Sequence, residues 1–194
     1  MNNTIHVVSG YMRTGTSMMM KALEAGGLDA KYKQSRDEMK ERFSDENYDP
    51  NIAGLYELEG EDYHEFGFPR KYKGKLIKAL NQGVSRMAVT EGIRVVFMMR
   101  DREEIRQSYE AFFGKELKNI EHYERNMKDF IERISNRKDV ISLDVFNLRD
   151  VIENPLKYFT ILKNNGWDID PEKSASVIDP KCYRFRKELL TKGI

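Results

Sequence analysis

The chain has 194 residues, enough for one domain that buries about 70% of its unfolded surface. Its 33 Lys plus Arg stand against 32 Asp plus Glu, a formal net charge of +1, which excludes a general attraction to nucleic acid or to a membrane surface; any anion site must be a local concentration of cations. The lone Cys182 excludes an internal disulfide and a Cys-based zinc cluster, and Asn2, Asn3 and His6 interrupt the N-terminus with no apolar run near membrane-spanning length anywhere, so the sequence reads as a cytoplasmic protein without a membrane span or signal peptide.

The first predicted element is a short β-branched run, Ile5, Val7 and Val8, that suits a buried strand. Gly10 breaks it. From Ser17 to Ala25 the residues Met18, Met19, Ala22 and Leu23 recur at helical spacing, and Gly26-Gly27 supplies the stop. A strand, a glycine-bounded loop and a helix point backbone N–H groups and a positive helix end at an anion. Gly10, Gly15 and Ser17 fit G-x-x-x-x-G-x-[ST], but Thr16 stands where a nucleotide-triphosphate loop needs Lys. The loop's cation is Arg13 instead, upstream of Thr14-Gly15-Thr16-Ser17. The pattern suits a phosphate without the ATP–Mg²⁺ apparatus.

Further along, Ser35-Arg-Asp-Glu38 reads as a capping box opening a charged helix through Phe43, within a polar stretch from Lys31 to Asp49. Leu55 to Glu59 alternates briefly, and Gly60 to Pro69 reads as loop. Leu76, Ile77 and Leu80 flank Lys78 in an apolar run that fits a core strand or, nearly as well, a helix from Lys73 to Leu80. Arg94 to Met99 is the clearest internal strand, continuous and apolar as strands covered on both faces are. It ends at Arg100; Asp101 to Glu104 then reads as a capping box for a helix that Gly114 stops. A second helix is expected over about Leu117 to Ser135, a strand over Val140 to Val145, and a helix from Asn154-Pro155 to Asn165. Asp170-Pro171 repeats the helix-start signal, and the basic segment Lys181 to Lys187 follows.

Strands alternating with helices predict an α/β fold: a three-layer, P-loop-like arrangement with a mostly parallel central sheet flanked by helices, as a single domain over 1–194. Ligands of such sheets sit beyond the carboxyl ends of the strands. Arg100 leaves its strand at the same end as the Arg13 loop, so two cations are expected to converge on one crevice.

Two segments together resemble the PAPS-dependent sulfotransferases, whose donor is 3′-phosphoadenylyl sulfate. Gly10-Tyr-Met-Arg-Thr-Gly-Thr-Ser17 is similar to that family's loop for the donor's 5′-phosphosulfate. Val95 to Phe113 is similar to its strand-to-helix segment, in which an Arg and a Ser eight residues later hold the 3′-phosphate; these are Arg100 and Ser108 here. The family often has Pro two residues after that Arg, where this chain has Arg102. Asn51-Ile-Ala-Gly-Leu-Tyr-Glu57 looks like a segment of bacterial and phage members, and the likeness spans about half the chain.

The resemblance implies sulfuryl transfer to a hydroxyl, or an amine, of a small-molecule, glycan or peptide acceptor, with 3′,5′-ADP as product, no metal and no nucleic-acid or membrane partner. The amides of Thr14, Gly15, Thr16 and Ser17 and three of their hydroxyls would cradle one phosphosulfate. Arg13 would meet its charged oxygens, and a donor aimed at developing charge is worth roughly 10²–10³ in rate. Arg100 and Ser108 would bind the remote phosphate, whose binding energy positions the reacting group. A base for the acceptor proton contributes roughly 10²–10⁴; Glu57 is the first candidate and His64, whose ordinary pKa suits the task, the second. Lys78 resembles a family lysine facing the transferred group. Arg184 and Arg186 belong to a tail that would close over the 3′-phosphate and adenine. Residues 31–72 would form the acceptor-side insertion or lid. Two other readings stay open: a nucleotide or small-molecule kinase, for which Asp101 is the one tempting Mg²⁺ ligand, and a non-catalytic nucleotide-binding module.

Overall fold

Ile5–Gly10 forms the central strand β1, every residue of it buried. In the computed structural model, which describes residues 3–32, 56, 58, 70–87, 92–183 and 185, this strand is flanked by β2 (Leu76–Lys78) and β3 (Ile93–Met99), and β4 (Val140–Asn147) lies beyond β3. All three pairings are parallel, with Val7 opposite Ile77 and Val95, and Val95 opposite Leu143. The order β2-β1-β3-β4 makes the described sheet wholly parallel, a stricter result than the mostly parallel expectation. The ambiguous run around Lys78 is thereby a strand: its backbone extends because the open side of β1 offers a ladder to pair with.

Parallel neighbours need crossovers, and the helices supply them on both faces. Side-chain alternation divides β1 and β3 cleanly. Val8, Val96 and Met98 join one apolar cluster with Met19, Met20 and Leu23 of α1 (Thr16–Ala25), together with Val151 of α5 (Leu148–Glu153) and Phe159 of α6 (Pro155–Asn164). Ala175 of α7 (Pro171–Ser176) packs against the same cluster. Ile5, Val7, Val95 and Phe97 join the other, with Val84 of α2 (Asn81–Arg86), Ile105 of α3 (Arg102–Phe113) and Met127, Phe130 and Ile134 of α4 (Tyr123–Ser135). Helices on both faces of a parallel sheet give the three-layer α/β arrangement.

The strand after Arg94 and the helix after Asp101 stand where the sequence places them. The Asp101 side chain accepts from the Glu103 and Glu104 amides, and Gly114 ends α3 in the left-handed conformation (φ 63°). The helix expected from Leu117 starts later: Asn119 is left-handed (φ 61°), a short 3₁₀ turn follows at Ile120–His122, and α4 begins at Tyr123. Leu117 is buried all the same, as an anchor ahead of the helix. The helix expected from Ser35 and the loop from Gly60 to Pro69 lie outside the described residues, as does most of 31–72.

Connections leave β1 and β3 toward opposite faces, α1 on one and α3 on the other. The carboxyl ends of these two adjacent strands therefore flank the crevice where open α/β sheets hold ligands.

Candidate functional site

The loop between β1 and α1 is held by glycines on contact grounds. A Cβ on Gly10 would lie 2.5 Å from the Thr14 hydroxyl and 2.8 Å from the Met98 carbonyl; one on Gly15 would lie 2.5 Å from Leu148 Cδ1, with φ at +91°. Only glycine lets the chain turn so tightly between β3 and α5. Gly15 occupies the N-cap of α1 and offers no side chain to the first-turn N–H groups. Thr14 is fully buried and its hydroxyl donates to the Tyr11 carbonyl at 2.7 Å. That hydroxyl braces the loop from inside, while Thr16 and Ser17, also buried, open α1.

Lys78, at the end of β2 and only 3% exposed, donates from Nζ to Ser17 Oγ at 3.3 Å. Neighbouring strands thus bring a buried ammonium to the first turn of α1 from 61 residues away. No local pattern predicts that contact; the resemblance did single out the lysine.

Arg13 carries φ +64°, an uncommon conformation for a side chain to tolerate. Its Nε donates to Ser108 Oγ at 3.0 Å, and its guanidinium carbon lies 4.6 Å from the centre of the Phe112 ring. The sequence reading assigns Arg13 to one phosphorus group and Ser108 to another. In the structure the two side chains touch, so the Arg13 head sits on the α3 side of the crevice.

Arg100 is 8% exposed and ties three segments together. Its Nε donates to Glu104 Oε2 at 3.0 Å, its Nη1 to the Arg13 carbonyl at 3.1 Å and its Nη2 to the Phe185 carbonyl at 3.1 Å. The Tyr183 ring lies 5.2 Å from the guanidinium carbon, and the Tyr183 hydroxyl donates to Glu104 Oε2 at 2.5 Å. Burial, reinforced by that carboxylate, pushes the Tyr183 phenol well above its ordinary range. On the strand side, the Arg100 amide donates to the Tyr123 hydroxyl at 3.4 Å, and burial pushes that phenol up to about 12. Tyr11 packs on Tyr123 with ring centres 5.4 Å apart, and its phenol too is raised by burial.

Arg13, Ser17, Lys78, Arg100 and Ser108 are therefore gathered at the carboxyl ends of β1, β2 and β3. Glu57, His64, Arg184 and Arg186 lie outside the described residues. The sequence reading missed Glu104 as a site residue, taking it as the far end of a capping box, although its spacing of four from Arg100 is itself a helical ion-pair signal. It also missed Tyr183 and Phe112. Among the described residues, no group of three or more His, Cys, Asp or Glu gathers to hold a metal ion, and no helix is long and apolar enough to cross a membrane.

Three cations and one carboxylate stand around a tight loop and a helix N-terminus, an arrangement that favours an anion electrostatically while the carboxylate competes with it. No protein-family model matches the chain, and no curated protein matches it.

Proposed function

We propose that this protein is a sulfotransferase that takes a sulfuryl group from 3′-phosphoadenylyl sulfate and passes it to a hydroxyl of a small acceptor. The observation that carries the reading is the convergence, within hydrogen-bond distance, of residues from three separate segments. Lys78 reaches Ser17 at 3.3 Å, Arg13 reaches Ser108 at 3.0 Å and Arg100 reaches the Arg13 carbonyl at 3.1 Å. The donor supplies an already activated sulfuryl group. The chain's part is to hold its charged oxygens with Lys78 and the first turn of α1, and its remote phosphate from the Arg100–Ser108 side, with Arg13, bonded to Ser108, between the two. The donor set suits this group: cations and hydroxyls around a turn with no room for a Cβ at Gly10 or Gly15.

A kinase is the weaker reading, because the Asp101 carboxylate is engaged as the cap of α3. A non-catalytic nucleotide-binding module is the second reading, favoured by the buried Glu104 that already neutralises Arg100.

Calorimetry tests the donor assignment. 3′,5′-ADP is expected to bind at least about tenfold tighter than 5′-AMP, a difference of about 1.4 kcal/mol that one charged phosphate contact supplies. Equal affinities overturn the 3′-phosphate assignment. Mass spectrometry of a metabolite extract incubated with protein and donor separates the two readings, since a gain of one sulfuryl group on any metabolite requires an enzyme.

A further inference from the structure

We infer that the C-terminal segment at Tyr183 and Phe185 is a self-ligand of Arg100, latched by Glu104, and that an oxyanion entering the site must displace it. The inference rests on the donor reading above and adds a gate to it.

A guanidinium offers five N–H donors in a fixed planar fork. Here both of its ends and its Nε meet oxygens of the protein itself: the carbonyls of Arg13 and Phe185, and the Glu104 carboxylate. An oxyanion prefers to take two parallel N–H groups of such a fork. Nη2 carries two N–H groups, and the one that meets the Phe185 carbonyl is open to an oxyanion only if that carbonyl, 85 residues away in the chain from Arg100, withdraws. What holds it in place is the neighbouring Tyr183, through ring stacking on Arg100 and the hydroxyl bond to Glu104 Oε2. One carboxylate oxygen thus joins Arg100 and Tyr183, with Glu104 2% and Tyr183 7% exposed. The same guanidinium grips the carbonyl of the left-handed Arg13, so the shape of the β1–α1 loop and the position of the C-terminal segment are read by one side chain. Entry of an anion at either place is felt at the other.

The test uses the full chain, wild type against Tyr183→Phe, which keeps the ring and removes the hydroxyl. Two measurements are made: hydrogen–deuterium exchange of the C-terminal peptides, and calorimetric titration with 3′,5′-ADP. The expected results are faster C-terminal exchange in Tyr183→Phe without ligand, faster exchange in wild type when 3′,5′-ADP is added, and affinity raised roughly tenfold in the variant, the size of one lost charge-assisted hydrogen bond. Unchanged exchange in the ligand-free variant overturns the latch. Slower wild-type exchange on adding 3′,5′-ADP, or equal or weaker binding by the variant, overturns the gate and makes the segment part of the binding surface. Binding to neither protein overturns the donor reading and the gate with it. Glu104→Gln serves as the second variant; loss of its charge raises anion affinity by itself, so its C-terminal exchange, also expected to quicken, is the separating readout.

Discussion

Lys78 is the residue whose placement owes least to its own stability. A buried ammonium carries a desolvation cost, and its bond to Ser17 is long, at 3.3 Å. A methionine of similar length would fill the same space between β1 and α1 without that cost. Lys78→Met is therefore expected to keep or raise the melting temperature while lowering the rate of the proposed sulfuryl transfer by roughly 10²-fold or more. Thermal melting and a transfer assay on the same preparation check this. A melting temperature lowered by more than roughly 5 °C with transfer intact assigns Lys78 to the fold instead. Arg13 presents the same logic from the backbone side, since a left-handed arginine is tolerated where the surrounding contacts over-determine it.

At the scale of elements, α3 carries one wall of the site: Glu104 and Ser108 on its buried side and Phe112 under Arg13. Its N-cap therefore sets the position of three site residues at once. Asp101→Ala is expected to cost about 1 kcal/mol in urea unfolding, and Asp101→Asn much less, because an amide oxygen caps nearly as well. Equal losses in both variants would assign the effect to charge on the helix dipole instead of the cap bonds. This helix was legible in the sequence because its signals are local: a capping Asp after an apolar run, a period of 3.6, a terminal glycine. The same holds for β1, its loop and α1. What was not legible depends on contacts between distant segments. The choice of strand for Leu76–Lys78 is made by β1, and the start of α4 is delayed by the left-handed Asn119, a turn that no periodicity announces. The short helices Asn81–Arg86 and Leu148–Glu153 span under two turns, too little for a pattern to register. Glu104 satisfied a capping-box pattern and an ion-pair spacing together, and the bond from Arg100 Nε shows its carboxylate engaged in the second.

For the molecule as a whole, the weak point lies at the opposite end of β1 from the site. His6 is 2% exposed and, among the described residues, neither ring nitrogen has a hydrogen-bond partner. Its ring packs 5.0 Å from Trp167, the residue that seats the α6–α7 connection on the sheet. Burial lowers its pKa to about 4, helped by Arg94 opposite it on β3 and opposed by Asp168. The nearby Asp144 on β4 is held by Asn165 and Trp167, and burial raises its carboxyl above the ordinary value. For His6 the native state binds its proton less readily than the unfolded chain, whose pKa is near 6.5. Stability from this group is therefore full above about pH 6.5 and is lost as pH falls toward 4. At pH 4.5 the loss is about 2 to 3 kcal/mol, a large share of the stability of a domain this size. Because His6 lies in the central strand, between two ladders and under a helical layer, its protonation opposes the whole fold and not one loop. Urea unfolding at pH 7 and pH 4.5 is expected to show this difference in wild type. In His6→Leu most of it is expected to vanish, with stability at pH 7 equal or higher, since two orphaned nitrogens are replaced by apolar atoms. An undiminished acid loss in His6→Leu would transfer the sensitivity to the carboxylates.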